Sequence, residues 1–259
     1  MIFRFLCHTD IGNTREKNED SLVVKSGSFG GDAILLAAIC DGVGGLEGGE
    51  TASYTAVSMI SEWFDEELPV LEPEVRILKK RLESLAESIN SRIRYENERA
   101  GKKSGTTCSA LLLWKRHYLI CHIGDSRIYT VDEKVYQLTE DHSWLAEEVR
   151  KGRMTAEEAE RDIRKNRILK CFGAGQTAAP DLLAGEVRDP SSFVLCTDGF
   201  WHRITGEELK EKLGPGFSKD TAVLEKLTNL VKDRGEDDNI SVIAVDVTAG
   251  DNEEKTCLI

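Results

Sequence analysis

Five aspartates stand at the borders of apolar, strand-like runs in this chain of 259 residues, and their placement is the first sign of chemistry. Asp41-Gly42 follows the run from Ala33 to Cys40, and Asp125 sits in Gly124-Asp-Ser-Arg127 after Tyr118 to Ile123. Asp198-Gly199 follows Phe193 to Thr197, and Asp238-Asn239 precedes Ile240 to Val245. The fifth, Asp20, closes Arg15-Glu-Lys-Asn-Glu-Asp20. A carboxylate at a strand end is held by a rigid element yet can face a cleft. Several at close range repel unless a cation neutralises them. All-oxygen ligands without a His or Cys cluster favour hard ions such as Mg2+ or Mn2+. The residues alone therefore point to a metal-dependent hydrolase.

The elements that must position these carboxylates follow from periodicity. Residues 2–8, 21–25 and 33–40 predict strands, the last two joined by a glycine-rich turn from Gly27 to Asp32. The five glycines between Gly42 and Gly49 require a loop, and a helix is expected from about Glu50, where Ala52, Ala56, Ile60, Trp63 and Phe64 recur. Pro69 and Pro73 punctuate, and a second helix is expected over 74–99, with Val75, Leu78, Leu82, Leu85, Ile89 and Ile93 on one core-facing stripe. Short strands follow at 106–113, 117–123, 126–131 and 134–138, then a polar helical stretch from His142 to Lys170 with a capping box at Thr155 to Glu158. Strands near 182–187 and 193–197, helices from Thr205 and over 218–234, and a last strand at 240–247 complete the chain. Strands cluster in groups with helices between the groups. That pattern predicts an α+β arrangement of antiparallel sheets with helices on their outer faces.

The chain carries a net charge of −12, which disfavours nonspecific binding to a nucleic-acid backbone. No nucleic-acid or membrane partner is expected, since no run of about 18 apolar residues exists. Seven cysteines without a Cys-x-x-Cys pair argue for a reducing compartment, hence a cytoplasmic location. Cys257 is third from the end, where a prenylation box needs it fourth. Residues 249–259 read as a polar tail on one domain spanning 1–248.

One Asp-Gly pair is a common turn signal. Several motifs in a fixed order are not. The chain carries Asp10-Ile-Gly-Asn-Thr-Arg15, Asn18-Glu-Asp20-Ser21, Cys40-Asp-Gly-Val-Gly-Gly45, Gly49-Glu-Thr-Ala-Ser53, Ser104-Gly-Thr-Thr107, His122-Ile-Gly-Asp-Ser-Arg127, Leu138-Thr-Glu-Asp-His-Ser143, Leu195-Cys-Thr-Asp-Gly-Phe-Trp201 and Asp238-Asn-Ile-Ser-Val242. In these motifs, spread from residue 10 to 245, it resembles the PP2C-type, or PPM, metal-dependent Ser/Thr protein phosphatases in their bacterial form. The resemblance implies two stacked antiparallel β-sheets flanked by α-helices, a four-layer α/β/β/α sandwich with a binuclear Mn2+ or Mg2+ centre at one end. It implies that Asp41 bridges both ions, that the Gly42 carbonyl binds the second, and that Asp198 and Asp238 bind the first. Glu19 and Asp20 would hold metal-bound waters, and Asp125 with Asp198 would form a weaker third site. Arg15 would grip the substrate phosphate, and residues 142–170 would form a flap beside the site that influences substrate choice.

The implied reaction is hydrolysis of phosphoserine and phosphothreonine without a phospho-enzyme. Two ions roughly 4 Å apart polarise a phosphoryl oxygen and bring a bridging water toward hydroxide, the attacking group. A guanidinium forks two phosphate oxygens. The expected partners are phosphorylated proteins and the Ser/Thr kinase acting on the same targets. Plainer roles are expected for Arg127, a salt-bridge partner; Asn239, a brace for its loop; Thr106 and Thr107, packing residues; and His142, a structural group. Ser21 lacks an activating base and is no nucleophile. One departure matters: Val43 to Gly49 contains no His, and Leu46 stands where many bacterial relatives place the general acid. Such an acid contributes roughly 10²–10⁴-fold. Two alternatives follow, a pseudophosphatase that binds phosphoproteins and a phosphohydrolase for small phosphate esters.

Overall fold

The computed structural model describes residues 1–43, 48–155, 157–158, 162, 164 and 167–249. The apolar run ending in Asp41 forms β3 (Asp32–Val43), which is buried on both faces, so its sequence does not alternate. Its partners are β2 (Asp20–Phe29) and β5 (Cys108–Trp114), followed outward by β6 (His117–Ile123) and β9 (Asp181–Glu186). The two-residue β4 (Gly105–Thr106) pairs with the far end of β3. The second sheet runs in the order β1 (Ile2–Asp10), β11 (Ile240–Thr248), β10 (Ser191–Cys196), β7 (Arg127–Val131), β8 (Val135–Gln137). Every strand pair in both sheets is antiparallel.

Period-2 geometry sorts β3 between two cores. Leu35, Ala37 and Ile39 face the other sheet and meet Phe193, Leu195, Ile243 and Val245. Leu36, Ala38 and Cys40 face α1 (Gly49–Glu62) and α2 (Val75–Ala100), packing with Ala56, Ile60, Leu78 and Leu82. On the opposite side, Val194, Val242 and Ala244 meet Phe200, Leu209, Leu227 and Val231. Those last residues come from α4 (Asp198–Trp201), α5 (Gly206–Leu213) and α6 (Ala222–Asp233). The result is a four-layer α/β/β/α sandwich. Thr205 caps α5 through a reciprocal box with Glu208.

Several boundaries differ from the sequence expectation. β2 runs on through Gly27 and Ser28, and the turn shrinks to Gly30-Gly31, whose φ of 60° and 85° suit a tight hairpin closed by two left-handed residues. The helix expected from 218 starts at Ala222, because the Asp220 carboxylate takes the Ala222 amide at 3.0 Å and holds a turn before it. The expected helical stretch from His142 to Lys170 is helical over α3 (Trp144–Arg150) and at residues 157–158, while Ile168 is extended, held by an isolated antiparallel bridge to Ser143 and by the Trp144 amide donating to the Arg167 carbonyl at 2.9 Å. The capping box at Thr155 is formed in both directions with Glu158. Of the charged run 161–167, positions 161, 163, 165 and 166 lie outside the described residues, as do residues 44–47 of the glycine loop and 250–259 of the tail.

Candidate metal centre and active site

Strand pairing places the five aspartates at one end of the sandwich. Asp20 and Asp41 are direct partners across the β2–β3 ladder. Asp198 follows β10 and Asp238 precedes β11, whose neighbouring ends pair at Cys196 and Val242. Asp125 follows β6, next to the start of β5. The Thr197 hydroxyl links the sheets here, donating to Asp20 Oδ2 at 3.0 Å. Asp20, Asp125 and Asp198 are less than a tenth exposed.

Burial away from water disfavours their charged forms, and mutual repulsion adds to it. Desolvation, then Asp198 and Asp238, push the Asp20 carboxyl up to about 7 against the hydrogen bonds from Ser241 and Thr197. Asp41 is raised well above its ordinary value by burial, then by Asp20, Asp198, Asp125 and Asp238. Asp125 and Asp198 are raised for the same reasons, burial first. Asp125 Oδ1 and Asp198 Oδ1 are buried with no hydrogen-bond partner in the structure. A buried acceptor without a donor is costly, and a cation is a natural partner for it. The donor set is all oxygen, which fits hard divalent ions. Among the described residues no three Asp, Glu, His or Cys side chains close into a ready cage.

Gly42 shows why its backbone can approach such an ion. A Cβ there would run into the backbone of Gly49 and come within 2.7 Å of the Glu19 carbonyl. Glu19 lies beside this contact, its carboxyl raised by burial and by Glu50. Asn239 ties three segments together: its Oδ1 accepts the Glu19 amide at 2.9 Å, and its Nδ2 donates to the Ile11 and Lys17 carbonyls, each at 2.9 Å. Arg15 is half exposed and its Nη2 meets Asp238 Oδ2 at 2.7 Å. The structure therefore brings Arg15 to the carboxylate rim, with its guanidinium turned onto Asp238.

Sequence reasoning missed the residues that fix the loops. Thr106 and Thr107 do more than pack: the Asp41 amide donates to Thr107 Oγ1 at 2.9 Å, and Thr106 Oγ1 donates to the Asp41 carbonyl at 2.9 Å. Two hydroxyls so placed interrupt the strand expected over 106–113 and split it into β4 and β5. Thr107 Oγ1 also meets Ser126 Oγ at 2.8 Å, linking Asp41 to the Asp125 loop. That loop is clamped from two further sides. His142 Nδ1 accepts the Gly124 amide at 3.1 Å, and the Trp201 Nε1–H donates to the Asp125 carbonyl at 3.0 Å. Arg127 lies 3.3 Å over the Trp201 ring and forks Asp141 at 2.9 and 2.7 Å. The motifs containing Thr107 and Trp201 were visible, but hydroxyl and indole side chains carry no spacing that separates bracing from packing.

Two expected outcomes follow. A carboxyl whose folded pKa lies above its unfolded value holds its proton more tightly when folded. The stability this gives is present below the unfolded pKa near 3.8 and is lost as pH rises through about 7. In EDTA, Asp20→Asn should therefore raise Tm at neutral pH by about 5 °C or more, reflecting a few kcal/mol of relieved strain, and change it little near pH 4. An unchanged Tm at both pH values would contradict this electrostatic account. Trp201→Phe keeps the ring under Arg127 and deletes the N–H. It should raise the Mn2+ concentration for half-saturation in a metal-binding titration several-fold at nearly constant Tm, whereas equal loss of both would reduce Trp201 to packing.

Comparison with known proteins identifies the fold and the family. The profile of protein phosphatase 2C matches residues 13–236. PhpP, a protein phosphatase of Streptococcus pneumoniae, is 30% identical over 250 residues, covering 95% of this chain and 98% of its own. The serine/threonine protein phosphatase PstP of Mycobacterium tuberculosis is also 30% identical over 250 residues, but this chain spans only 45% of its length. The crystal structure of the PstP catalytic domain in complex with two manganese ions superposes with a TM-score of 0.80 at 30% identity, covering 95% of this chain and 99% of that one. Five strand-end aspartates on this sandwich, together with a family match over most of its length, place the chain in the protein phosphatase 2C family.

Proposed function

We propose that the chain is a metal-dependent protein phosphatase acting on phosphoserine and phosphothreonine. The observation that carries this reading is the set of buried, mutually repelling aspartates at one end of the sandwich, two of them with unpartnered oxygens. The two manganese ions in the related PstP domain support a binuclear centre here. Asp41, Asp198, Asp238 and the Gly42 carbonyl are the groups that would hold it, with Asp20 and Glu19 fixing waters around it and Asp125 beside Asp198 offering a further, weaker position. When bound, divalent ions supply Lewis-acid polarisation of a phosphoryl oxygen and activation of water.

The chain's own residues do the rest. Thr106 and Thr107 hold the Asp41 backbone fixed, which limits reorganisation as charge develops. Arg15, half exposed, can leave Asp238 and fork two phosphate oxygens. No histidine lies between Val43 and Gly49, so the proton for the leaving alkoxide comes from water in this reading. A phosphoserine, whose leaving group needs that proton, is then cleaved more slowly than an aryl phosphate. The same absence favours a second reading, a phosphoprotein-binding module with little turnover.

The proposed setting is cytoplasmic, opposing a Ser/Thr kinase. Six described cysteines are free thiols, which fits a reducing compartment, and no helix among the described residues is long and apolar enough to cross a membrane. Residues 1–248 would act as one catalytic domain, with the 142–170 flap tuning substrate choice. The deciding assay is phosphate release from a phosphothreonine peptide with Mn2+ and again in excess EDTA, with Asp198→Asn as control. Turnover that requires both metal and Asp198 is expected. Metal binding without turnover would shift the assignment to the binding module, and turnover confined to small esters would shift it to a metabolite phosphohydrolase.

A further inference from the structure

The residue that sets the direction of Asp125 has no conformational preference of its own. Gly124 has a φ of 112°, and a Cβ there would lie 2.5 Å from Thr107 Cβ. Glycine reaches such a φ readily but does nothing to keep it. The turn is therefore held from outside. The His142 amide donates to the Gly124 carbonyl at 2.7 Å, and the Gly124 amide donates to His142 Nδ1 at 3.1 Å. One residue thus closes both backbone groups of the glycine that precedes Asp125. An imidazole accepts only at its unprotonated nitrogen, so the ring proton sits on Nε2. That nitrogen lies 3.3 Å from Asp181 Oδ2. Lys170 Nζ approaches it at 3.5 Å, the outer limit of a hydrogen bond.

His142 is itself fixed. Its side chain is 8% exposed, and its ring lies on that of His122, with centroids 5.0 Å apart and planes tilted by 31°. His122 is fully buried on β6, and its Nε2–H donates to the Glu140 carbonyl at 3.0 Å. Arg127 forks Asp141, the next residue. Consecutive residues are thus anchored to the motif that carries Asp125: Glu140 by His122, Asp141 by Arg127 and His142 by Gly124. The other flank of Asp125 is held as well. Ser109 Oγ sits 3.0 Å from the Ser126 carbonyl and 2.9 Å from His122 Nδ1. Outer contacts of this kind orient metal ligands, and losing one typically costs 10–100-fold in metal affinity.

We propose that His142 is a positioning residue for the metal position at Asp125, acting through its two hydrogen bonds with Gly124. Asp125 Oδ1 is buried without a hydrogen-bond partner, so no contact of its own aims it. Its aim is left to the backbone on either side, and His142 holds one of those sides. Asp125 is a metal ligand only on the proposed reading of the site; the clamp on Gly124 stands without it. Asp41 is gripped by Thr106 and Thr107 without help from His142. Loss of the clamp should therefore be felt at the weaker position shared by Asp125 and Asp198, and not at the pair of ions around Asp41.

The test is a Mn2+ titration of the whole chain, with free ion read by electron paramagnetic resonance, a measurement that needs no turnover. The unsubstituted protein should bind ions in a tighter and a weaker class, and Asp125→Asn should remove the weaker one. His142→Phe keeps a ring on His122 and deletes the acceptor. It should raise Kd for the weaker class about tenfold or more and leave the tighter class unchanged. His142→Asn carries its acceptor at the same place along the side chain as Nδ1 and should bring Kd back to within a few-fold of the original. In an Asp125→Asn background, His142→Phe should cause no further loss of bound ion, since a residue acting only through Asp125 has no other route. His142→Leu repeats the comparison where Tm in EDTA shows that the Phe variant does not fold. Equal weakening of both classes, or no recovery with Asn, would reduce His142 to a structural role. An unchanged weaker class, or none in the unsubstituted protein, would overturn the inference and leave the binuclear centre standing. A protein that binds no Mn2+ at all would remove the metal-dependent reading itself.

Discussion

The constraint on which the rest of the structure depends is the repulsion among carboxylates gathered where water is scarce. Asp20, Asp41, Asp125 and Asp198 all have raised pKa values, with burial as the first cause and neighbouring carboxylates, Asp238 among them, adding to it. A fold that merely tolerated these groups would let them swing apart into solvent. This one prevents it. Asp20 and Asp41 are paired within a ladder, Thr197 reaches across from the other sheet, and Thr106 and Thr107 grip the Asp41 backbone from both sides. The stability set aside at this end is recovered in the three apolar layers, where β3 contributes to two cores at once.

The Asp125 loop illustrates how such a position is kept. Its neighbours come from three separate parts of the chain: Thr107 on the β4–β5 connection, His142 just before α3, and Trp201 at the end of α4, with the loop's own Arg127 stacked on that indole. Each contact is ordinary. Together they leave Asp125 Oδ1 aimed without a hydrogen-bond partner, a state that persists only when the surroundings over-determine it. His142 also accepts the Leu169 amide through its carbonyl at 2.7 Å, which ties that residue to the same loop.

Much of this architecture was legible in the sequence because burial leaves a periodic trace. The two-sided burial of β3 appears as an unbroken apolar run, the stripe of α2 as Leu78, Leu82, Leu85 and Ile89, and the α5 cap as Thr205 with Glu208. The aspartates were legible because a charged residue at the end of an apolar run is conspicuous. What escaped had no such trace. The extended conformation at Ile168 is set by a single bridge to Ser143, and the roles of Thr107 and Trp201 by partners far away in sequence. Arg15 was placed at the site by resemblance, but only the three-dimensional arrangement shows it resting on Asp238.

The two-sided burial of β3 has an evolutionary consequence. From Ile34 to Cys40 the strand has no outward face and so few positions free to drift, and Asp41 follows directly. Any repacking of Leu35, Leu36 or Ile39 would be transmitted along a stiff element to that carboxylate, so variation in this core bears directly on the position of Asp41. Divergence among proteins built this way is therefore channelled to surfaces mechanically remote from β3: the outer faces of the helices and the flap. Selection can retune what such an enzyme recognises far more readily than how it performs its reaction.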